Sequence, residues 1–335
     1  MTKNSSNTFS AIVAEDINGQ VKGQLKQLTL DDLPDEEVLV DVAYSTLNYK
    51  DGLAVSGRGR ICKSLPMVCG LDLAGEVIES RNPTWKAGDR VMVNGFGLSE
   101  KFWGGYSQKQ RVKSEWLVPV PTTFSLEQAM AIGTAGYTAM LSVQAIQEHG
   151  ILPERGPVLV TGAAGGVGSV AVMLLSKLGY QVTASTGRIS EVKEFLTSLG
   201  ANALIDRAEF SRASKPLEKE AWAAAVDVVG GQTLATVLAT TQYEGIVTAC
   251  GLAGGMDLPT SVAPFILRGV TLRGIDSVMV SLARRKKAWD ALAQLVDLKL
   301  LSTLYQVEPM SSLPALADQI IDGKIRGRIV IDVNA

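Results

Sequence analysis

Thr161-Gly162-Ala163-Ala164-Gly165-Gly166-Val167-Gly168 follows the apolar run Pro157-Val158-Leu159-Val160 and precedes the helical pattern Ser169 to Leu178. A strand, a glycine turn and a helix start in this order form the usual cradle for a dinucleotide pyrophosphate. Glycines suit the place because the turn is tight and the backbone must come within hydrogen-bonding distance of phosphate oxygens. The free N–H groups of the first helical turn then hold the anion. The strict G-x-G-x-x-G spacing is not met, since Ala164 stands at the second glycine place and Gly162, Gly165 and Gly168 are three apart. A helix-packing turn in some other α/β protein is the alternative, and the flanking strand and helix argue against it.

Tyr180-Gln181-Val182-Thr183-Ala184-Ser185 reads as the second strand of the unit. Enzymes that use NADH place an acid near its end, on the ribose 2′-hydroxyl. Here the strand runs instead into Ser185-Thr186-Gly187-Arg188. An acid would repel a 2′-phosphate, whereas a guanidinium pairs with it and hydroxyls donate to it. The expected cofactor is therefore NADPH; the competing reading makes Arg188 a solvated residue in a strand-to-helix turn.

The chain has 335 residues, 46% hydrophobic and 20% charged, which suits two globular domains. Lys plus Arg number 32 against 34 Asp plus Glu, so the net charge of −2 creates no field for nucleic acid or an anionic membrane. Small molecules are the expected partners. Cys62, Cys69 and Cys250 are odd in number and contain no C-x-x-C, which argues against a disulfide framework and a thiolate zinc site. The polar start Met1 to Asn7 has no apolar core, no apolar run is expected to reach spanning length, and the expected location is cytoplasmic.

Up to about Pro121 the chain reads as short strands and turns, with runs at 9–14, 37–45, 73–78 and 89–93, which suggests a partly closed β domain. Helical periodicity appears over 126–147; strand and helix then alternate through 157–179, 181–200, 225–229 and 245–250. Such alternation predicts a parallel sheet with helices on both faces. The last strand-like run, 327–333, fits either domain by pattern.

Several segments resemble one family in order along nearly the whole chain: Ser45-Thr46-Leu47-Asn48-Tyr49-Lys50-Asp51, the run 66–75, Trp103-Gly104-Gly105-Tyr106, the run 132–140, Cys250 to Gly255, and Pro264 to Val270. They are similar to the medium-chain dehydrogenase/reductases, in the zinc-free quinone-oxidoreductase branch, and most resemble its NADPH-dependent acrylyl-CoA reductases. The resemblance implies an α/β fold: a GroES-like β-rich catalytic domain over 1–129, completed by 305–335, and a Rossmann doubly wound parallel-sheet cofactor domain over 130–304. Short-chain dehydrogenases share the glycine loop but need Tyr-x-x-x-Lys, and none of the seven tyrosines has Lys four residues on. Zinc alcohol dehydrogenases need Cys and Gly-His-Glu; Asn48 and Leu71-Asp72 stand in those places. The one histidine, His149, reads as a surface or helix-end residue.

The resemblance further implies that Ala164, Gly165, Gly166 and Val167 meet the pyrophosphate, Thr186, Gly187 and Arg188 the 2′-phosphate, and Arg207 the adenosine end. It places Leu252, Ile266 and Ser277 on the nicotinamide side and lets Arg328 reach the cofactor from the C-terminal strand. Leu252 and Ile266 have plain core packing as their alternative, and Arg207 and Arg328 surface ion pairs. The implied reaction is reduction of the C=C bond of an α,β-unsaturated acyl-CoA, acryloyl-CoA to propanoyl-CoA, with Asn48 and Tyr49 as candidate donors and a homodimer as the assembly. Tyr49 has a second candidate role, orienting the nicotinamide. Asp72 is expected to be structural, and the basic run Arg284-Arg285-Lys286-Lys287 a solvated helix start. The alternatives are a quinone or enone reductase and, in another class, an NADPH-binding structural or partner protein of little turnover.

Overall fold

The computed structural model describes residues 8–335 and divides into two compact units. The first comprises the chain up to Thr134 together with Val278–Ala293 and Thr303–Ala335; the second comprises Ala135–Ser277 and Gln294–Ser302.

In the first unit a seven-stranded sheet runs in the order Tyr305–Pro309, Arg328–Asp332, Val38–Leu47, Asp72–Ser80, Arg90–Asn94, Val118–Pro119, with Lys109–Val112 also paired to Val38–Leu47. All neighbours are antiparallel except the pair Tyr305–Pro309 and Arg328–Asp332. The C-terminal strand therefore joins this unit, with Ile329 opposite Leu47 and Asp332 opposite Tyr44. Alternate residues Val38, Val40 and Val42, then Val91 and Val93, then Ile329 and Ile331, share one buried cluster, as the two-residue repeat of a strand requires. A smaller sheet orders Gln20–Thr29, Thr8–Ile17 and Met67–Val68.

The segment 278–293, expected within the 130–304 domain, packs with the first unit instead. Arg285, on the helix Leu282–Leu295, is fully buried. It donates from Nη1 to the Asn94 carbonyl at 2.7 Å, and its guanidinium lies 4.2 Å from the centre of the Phe96 ring. One of the four basic residues is thus a buried pin, because charge on Arg can be met by carbonyl dipoles and a ring face.

The second unit holds a six-stranded parallel sheet: Ala203–Asp206, Val182–Thr186, Val158–Val160, Trp222–Asp227, Thr241–Ala249, Thr271–Gly274. Counted along the chain this is the order 3-2-1-4-5-6, a doubly wound sheet whose direction of winding reverses between its first and fourth strands. Leu159, Ala225, Val237, Leu238, Val247 and Val270 form one of its buried clusters. Contrary to the expectation from the sequence, one apolar run does reach spanning length. The 23-residue helix Leu126–Glu148 has mean hydropathy 1.2 over its apolar window, of which 94% is buried, and it is a core helix. Gly133, at φ 51°, interrupts it; a Cβ there would sit 2.7 Å from Thr46 Cγ2 and 2.8 Å from Arg328 Nη2.

Candidate active site

In the second unit the glycine turn leaves the first strand at the reversal point. The helix Gly166–Lys177 starts after Gly165, which has no side chain to cap it. The Gly165 amide is spent on the Gly162 carbonyl at 3.0 Å, and Ser169 makes the first intrahelical bond back to Gly165 at 2.9 Å. The amides of Gly166, Val167 and Gly168 are first-turn donors without an intrahelical acceptor, which is the arrangement that receives an anion. A Cβ at Gly168 would stand 2.4 Å from the Gly162 carbonyl oxygen and 2.6 Å from Ala163 Cα, so only glycine permits the turn to close.

The turn is strung between neighbouring strands. Thr161 N donates to the Val226 carbonyl and Ala163 N to the Ser185 carbonyl, each at 3.0 Å. Thr161 Oγ1 donates to Asp227 Oδ1 at 2.6 Å and accepts from Val228 N at 3.1 Å, while Asp227 Oδ2 accepts from Gly230 N at 2.8 Å. Burial pushes the Asp227 carboxyl up, opposed by these donors. Sequence reasoning missed this clamp. Asp227 closes an otherwise apolar strand, and that polar break was its one signal.

The second and third strands pair Thr186 with Asp206, so the residues that follow each of them emerge side by side. Arg188 lies two residues beyond one and Arg207 one beyond the other. A Cβ on Gly187 would fall 2.5 Å from Arg207 Nε, which puts the Arg207 guanidinium against the Gly187 backbone. Thr186 Oγ1 accepts the Arg188 amide at 3.3 Å, and the buried Ser185 Oγ has no hydrogen-bond partner. The Asp206 carboxylate caps the following turn through Ala208 N at 2.9 Å. Two guanidinium groups and a hydroxyl beside an uncapped helix start fit a dinucleotide carrying an additional phosphate.

Leu252 and Ile266 are 57% and 72% exposed, so neither is core. Leu252 lies in the loop after Thr241–Ala249, Ile266 on the helix Ala263–Arg268, and half-buried Ser277 beyond the sixth strand. These three sit on elements separate from the glycine turn and the arginine pair. Burial, then Asp227, raises the Cys250 thiol to about 12, which makes it unreactive. His149 is exposed, with Nε2 3.3 Å from the Glu244 carbonyl.

In the first unit Asn48 begins the helix Tyr49–Ser56 and sits in a buried polar knot. Its Nδ2 donates to Asp51 Oδ2 at 2.9 Å and to Asp72 Oδ2 at 2.8 Å, and its Oδ1 accepts from Arg328 Nη1 at 3.2 Å. Asp51 also accepts from the amides of Asn48 and Leu71, at 2.9 and 2.8 Å. Asp72 Oδ1 accepts from Asn94 Nδ2 at 2.7 Å and Thr134 Oγ1 at 2.5 Å. Arg328 donates further to Ala131 O, Leu47 O and Thr46 Oγ1 at 3.0, 3.3 and 2.6 Å. Burial, then the neighbouring Asp72, raises Asp51 to about 7. Burial lowers Arg328, and the two carboxylates counter it. With one proton on the carboxylate pair the knot is neutral, which is the inexpensive state for a buried cluster.

This geometry corrects two expectations. Both Nδ2 hydrogens of Asn48 are taken by Asp51 and Asp72, so the amide has no donor left for a substrate and acts as a positioning residue. Arg328, expected at the cofactor, is 2% exposed and holds the knot and the interrupted helix through four neighbouring residues. Tyr49, 38% exposed, presents its side chain from the first helical residue, and Lys50 is paired with Glu100 at 2.6 Å. Among the described residues no three of His, Cys, Asp and Glu come together to hold a metal ion. An amide donating to two carboxylates does not fit zinc, which takes thiolate, imidazole or free carboxylate ligands.

Two family models match the chain. Residues 34–122 match the family model described as alcohol dehydrogenase GroES-like domain, and residues 166–297 the one described as zinc-binding dehydrogenase. The acrylyl-CoA reductase AcuI of Ruegeria pomeroyi is 49% identical over 330 residues, covering 98% of this chain and 100% of that protein. The putative quinone oxidoreductase YhfP of Bacillus subtilis is 42% identical, covering 97% of this chain and 99% of that protein. The crystal structure of E. coli K-12 YhdH with bound NADPH superposes with TM-score 0.95 at 47% identity, covering 97% and 100% of the two chains. That of B. subtilis YhfP has NAD bound and superposes with TM-score 0.93, covering 98% and 100%. Two matched domains and near-complete alignment at these identities establish that the chain belongs to the medium-chain dehydrogenase/reductase superfamily, alongside relatives named as acrylyl-CoA reductase and quinone oxidoreductase.

Proposed function

We propose that this oxidoreductase reduces the C=C bond of an α,β-unsaturated acyl-CoA, with acryloyl-CoA to propanoyl-CoA as the leading case. The cofactor is NADPH, which supplies a hydride to the substrate β-carbon when bound. The first-turn amides at Gly166 and Val167 hold the pyrophosphate, with the backbone of Ala164 and Gly165 packed against it; Thr186, Gly187, Arg188 and Arg207 take the 2′-phosphate. Leu252, Ile266 and Ser277 contact the nicotinamide side.

The observation that carries the reaction class is the knot around Asn48. Its donors are turned inward onto carboxylates, which leaves partly exposed Tyr49 as the segment's hydroxyl donor for a substrate. Such a segment offers hydrogen bonding to a developing enolate oxygen rather than Lewis-acid activation of an alcohol. The Tyr49 hydroxyl donates to the thioester oxygen, and a proton reaching the α-carbon completes the reduction. The full-length identity to an acrylyl-CoA reductase supports the thioester as the acceptor. Exposed Val262 and Leu267, beside the edge strand Thr271–Gly274 in the chain, support a homodimer.

The test is cofactor oxidation at about 340 nm with acryloyl-CoA, crotonyl-CoA and a small quinone, and with NADH as the control donor. Fast turnover with NADPH and acryloyl-CoA is expected. Activity confined to the quinone moves the protein to the quinone-reductase reading, and inactivity on all three makes it a binding protein.

A further inference from the structure

Asp227 ends the strand Trp222–Asp227 of the second unit, fully buried, and neither the pyrophosphate contacts nor the 2′-phosphate contacts use it. Its carboxylate spends its two oxygens on two different loops: Oδ1 accepts the Thr161 hydroxyl at 2.6 Å and Oδ2 the Gly230 amide at 2.8 Å. The Val228 amide donates to Thr161 Oγ1 at 3.1 Å, which directs the hydroxyl proton onto the carboxylate. The Asp227 carbonyl accepts the Cys250 amide at 3.0 Å, and the Val229 carbonyl accepts the Gly254 amide at 2.7 Å. Three loops are thereby stacked, the glycine turn, 228–231 and 250–255, with Asp227 at their joint. The approach is close: a Cβ on Gly162 would stand 2.5 Å from Val228 Cγ2, and one on Gly251 would collide with the Val228 carbonyl oxygen.

The two sides of the joint are held differently. The glycine turn has backbone bonds of its own, from Thr161 N to Val226, Ala163 N to Ser185 and Gly165 N to Gly162. In the loop 228–231 the amides of Val228 and Gly230 are met by side chains, those of Thr161 and Asp227. Loss of the carboxylate therefore loosens 228–231, and with it the 250–255 loop bonded to Val229, while the turn keeps its shape.

We propose that Asp227 is a positioning residue that holds the loop bearing Leu252 in place for the nicotinamide half of the cofactor, acting through Thr161 and the 228–231 loop. The inference rests on the cofactor contacts proposed above and on no particular acceptor. Its signature is a loss confined to one half of the dinucleotide: the nicotinamide half loses its support, and the phosphates keep theirs.

An amide has one acceptor oxygen where a carboxylate has two, so Asp227→Asn can serve Thr161 or Gly230 but not both. Thr161→Val keeps the shape and removes the hydroxyl, whereas Thr161→Ser keeps the hydroxyl and its two bonds. The full-length wild type and these variants are titrated calorimetrically with NADPH and with 2′-phospho-ADP-ribose, which carries every phosphate of NADPH and no nicotinamide. In Asp227→Asn and Thr161→Val the Kd for NADPH should rise about tenfold, the loss of one hydrogen bond, with that for 2′-phospho-ADP-ribose within about twofold of wild type. Thr161→Ser should bind NADPH as the wild type does; if Asp227→Asn does not fold, the two Thr161 variants carry the comparison. Equal losses for the two ligands, or NADPH binding unchanged in Thr161→Val, overturn the inference and leave the cofactor contacts standing. Wild-type protein that binds the two ligands equally tightly overturns it by removing the nicotinamide contact, and wild-type protein that binds neither overturns the cofactor contacts as well.

Discussion

The two candidate regions are built in opposite ways. The glycine turn of the second unit uses consecutive residues, Gly162 to Gly168, whose geometry follows from a strand, a turn and a helix start. The knot of the first unit gathers Thr46, Asn48, Asp51, Asp72, Asn94, Thr134 and Arg328, with 280 positions between Asn48 and Arg328. A local motif can present unsatisfied donors, because its backbone is the scaffold. An assembled motif has to satisfy its own charges before it can serve anything else, and so it turns inward.

The contrast is broken first by removing the knot's cation. Arg328→Met leaves two buried carboxylates without compensation, and chemical unfolding is expected to show a loss of about 3–5 kcal/mol. Asp72→Asn added to that variant should recover part of the loss; additive losses would mean the charges are not coupled.

The knot also sets a pH dependence. Asp51 is raised to about 7 in the fold, against about 3.9 in an unfolded chain. The native state therefore holds a proton that the unfolded state has released, and stability contributed by this group is complete below about pH 4 and is lost as pH rises through 7. The urea midpoint should fall between pH 5 and pH 8, and Asp51→Asn should flatten that fall. A wild-type midpoint that stays level across this interval would show Asp51 ionised in the fold.

The second unit is probed by a smaller change that leaves the fold intact. Arg188→Ala is expected to weaken NADPH by about 1.5–3 kcal/mol, the range for hydrogen bonds to charged groups, with little change for NADH. Equal losses for both cofactors in a titration would remove Arg188 from the 2′-phosphate. The smallest effect is set for Tyr49→Phe, where kcat on acryloyl-CoA should drop by about tenfold, one hydrogen bond near 1.4 kcal/mol, with stability unchanged. Unaltered kcat would exclude the hydroxyl from catalysis.

Much of the second unit was legible in the chain. The strands Val158–Val160 and Val182–Thr186 fall at the expected apolar runs, and Arg188 stands where an acid would have signalled a bare ribose. The edge strands Ala203–Asp206 and Thr271–Gly274 were not, because short half-exposed strands carry little alternation. In the first unit Gln20–Thr29 was hidden because only Gly23 of its ten residues is buried, so its apolar alternation is weak. Arg285 read as one of four solvated charges; only its place on the helix Leu282–Leu295 turned it to the Asn94 carbonyl.

The sequence by itself determined the order of elements, the glycine turn and the cationic end of the second strand, since each depends on neighbours a few residues apart. Tertiary structure alone decided that Asn48 is spent on two carboxylates, that Arg328 is a buried anchor and that Arg207 lies on Gly187. Those outcomes depend on which strands pair and in what register, and a buried charge takes its role from partners that the chain brings from far away.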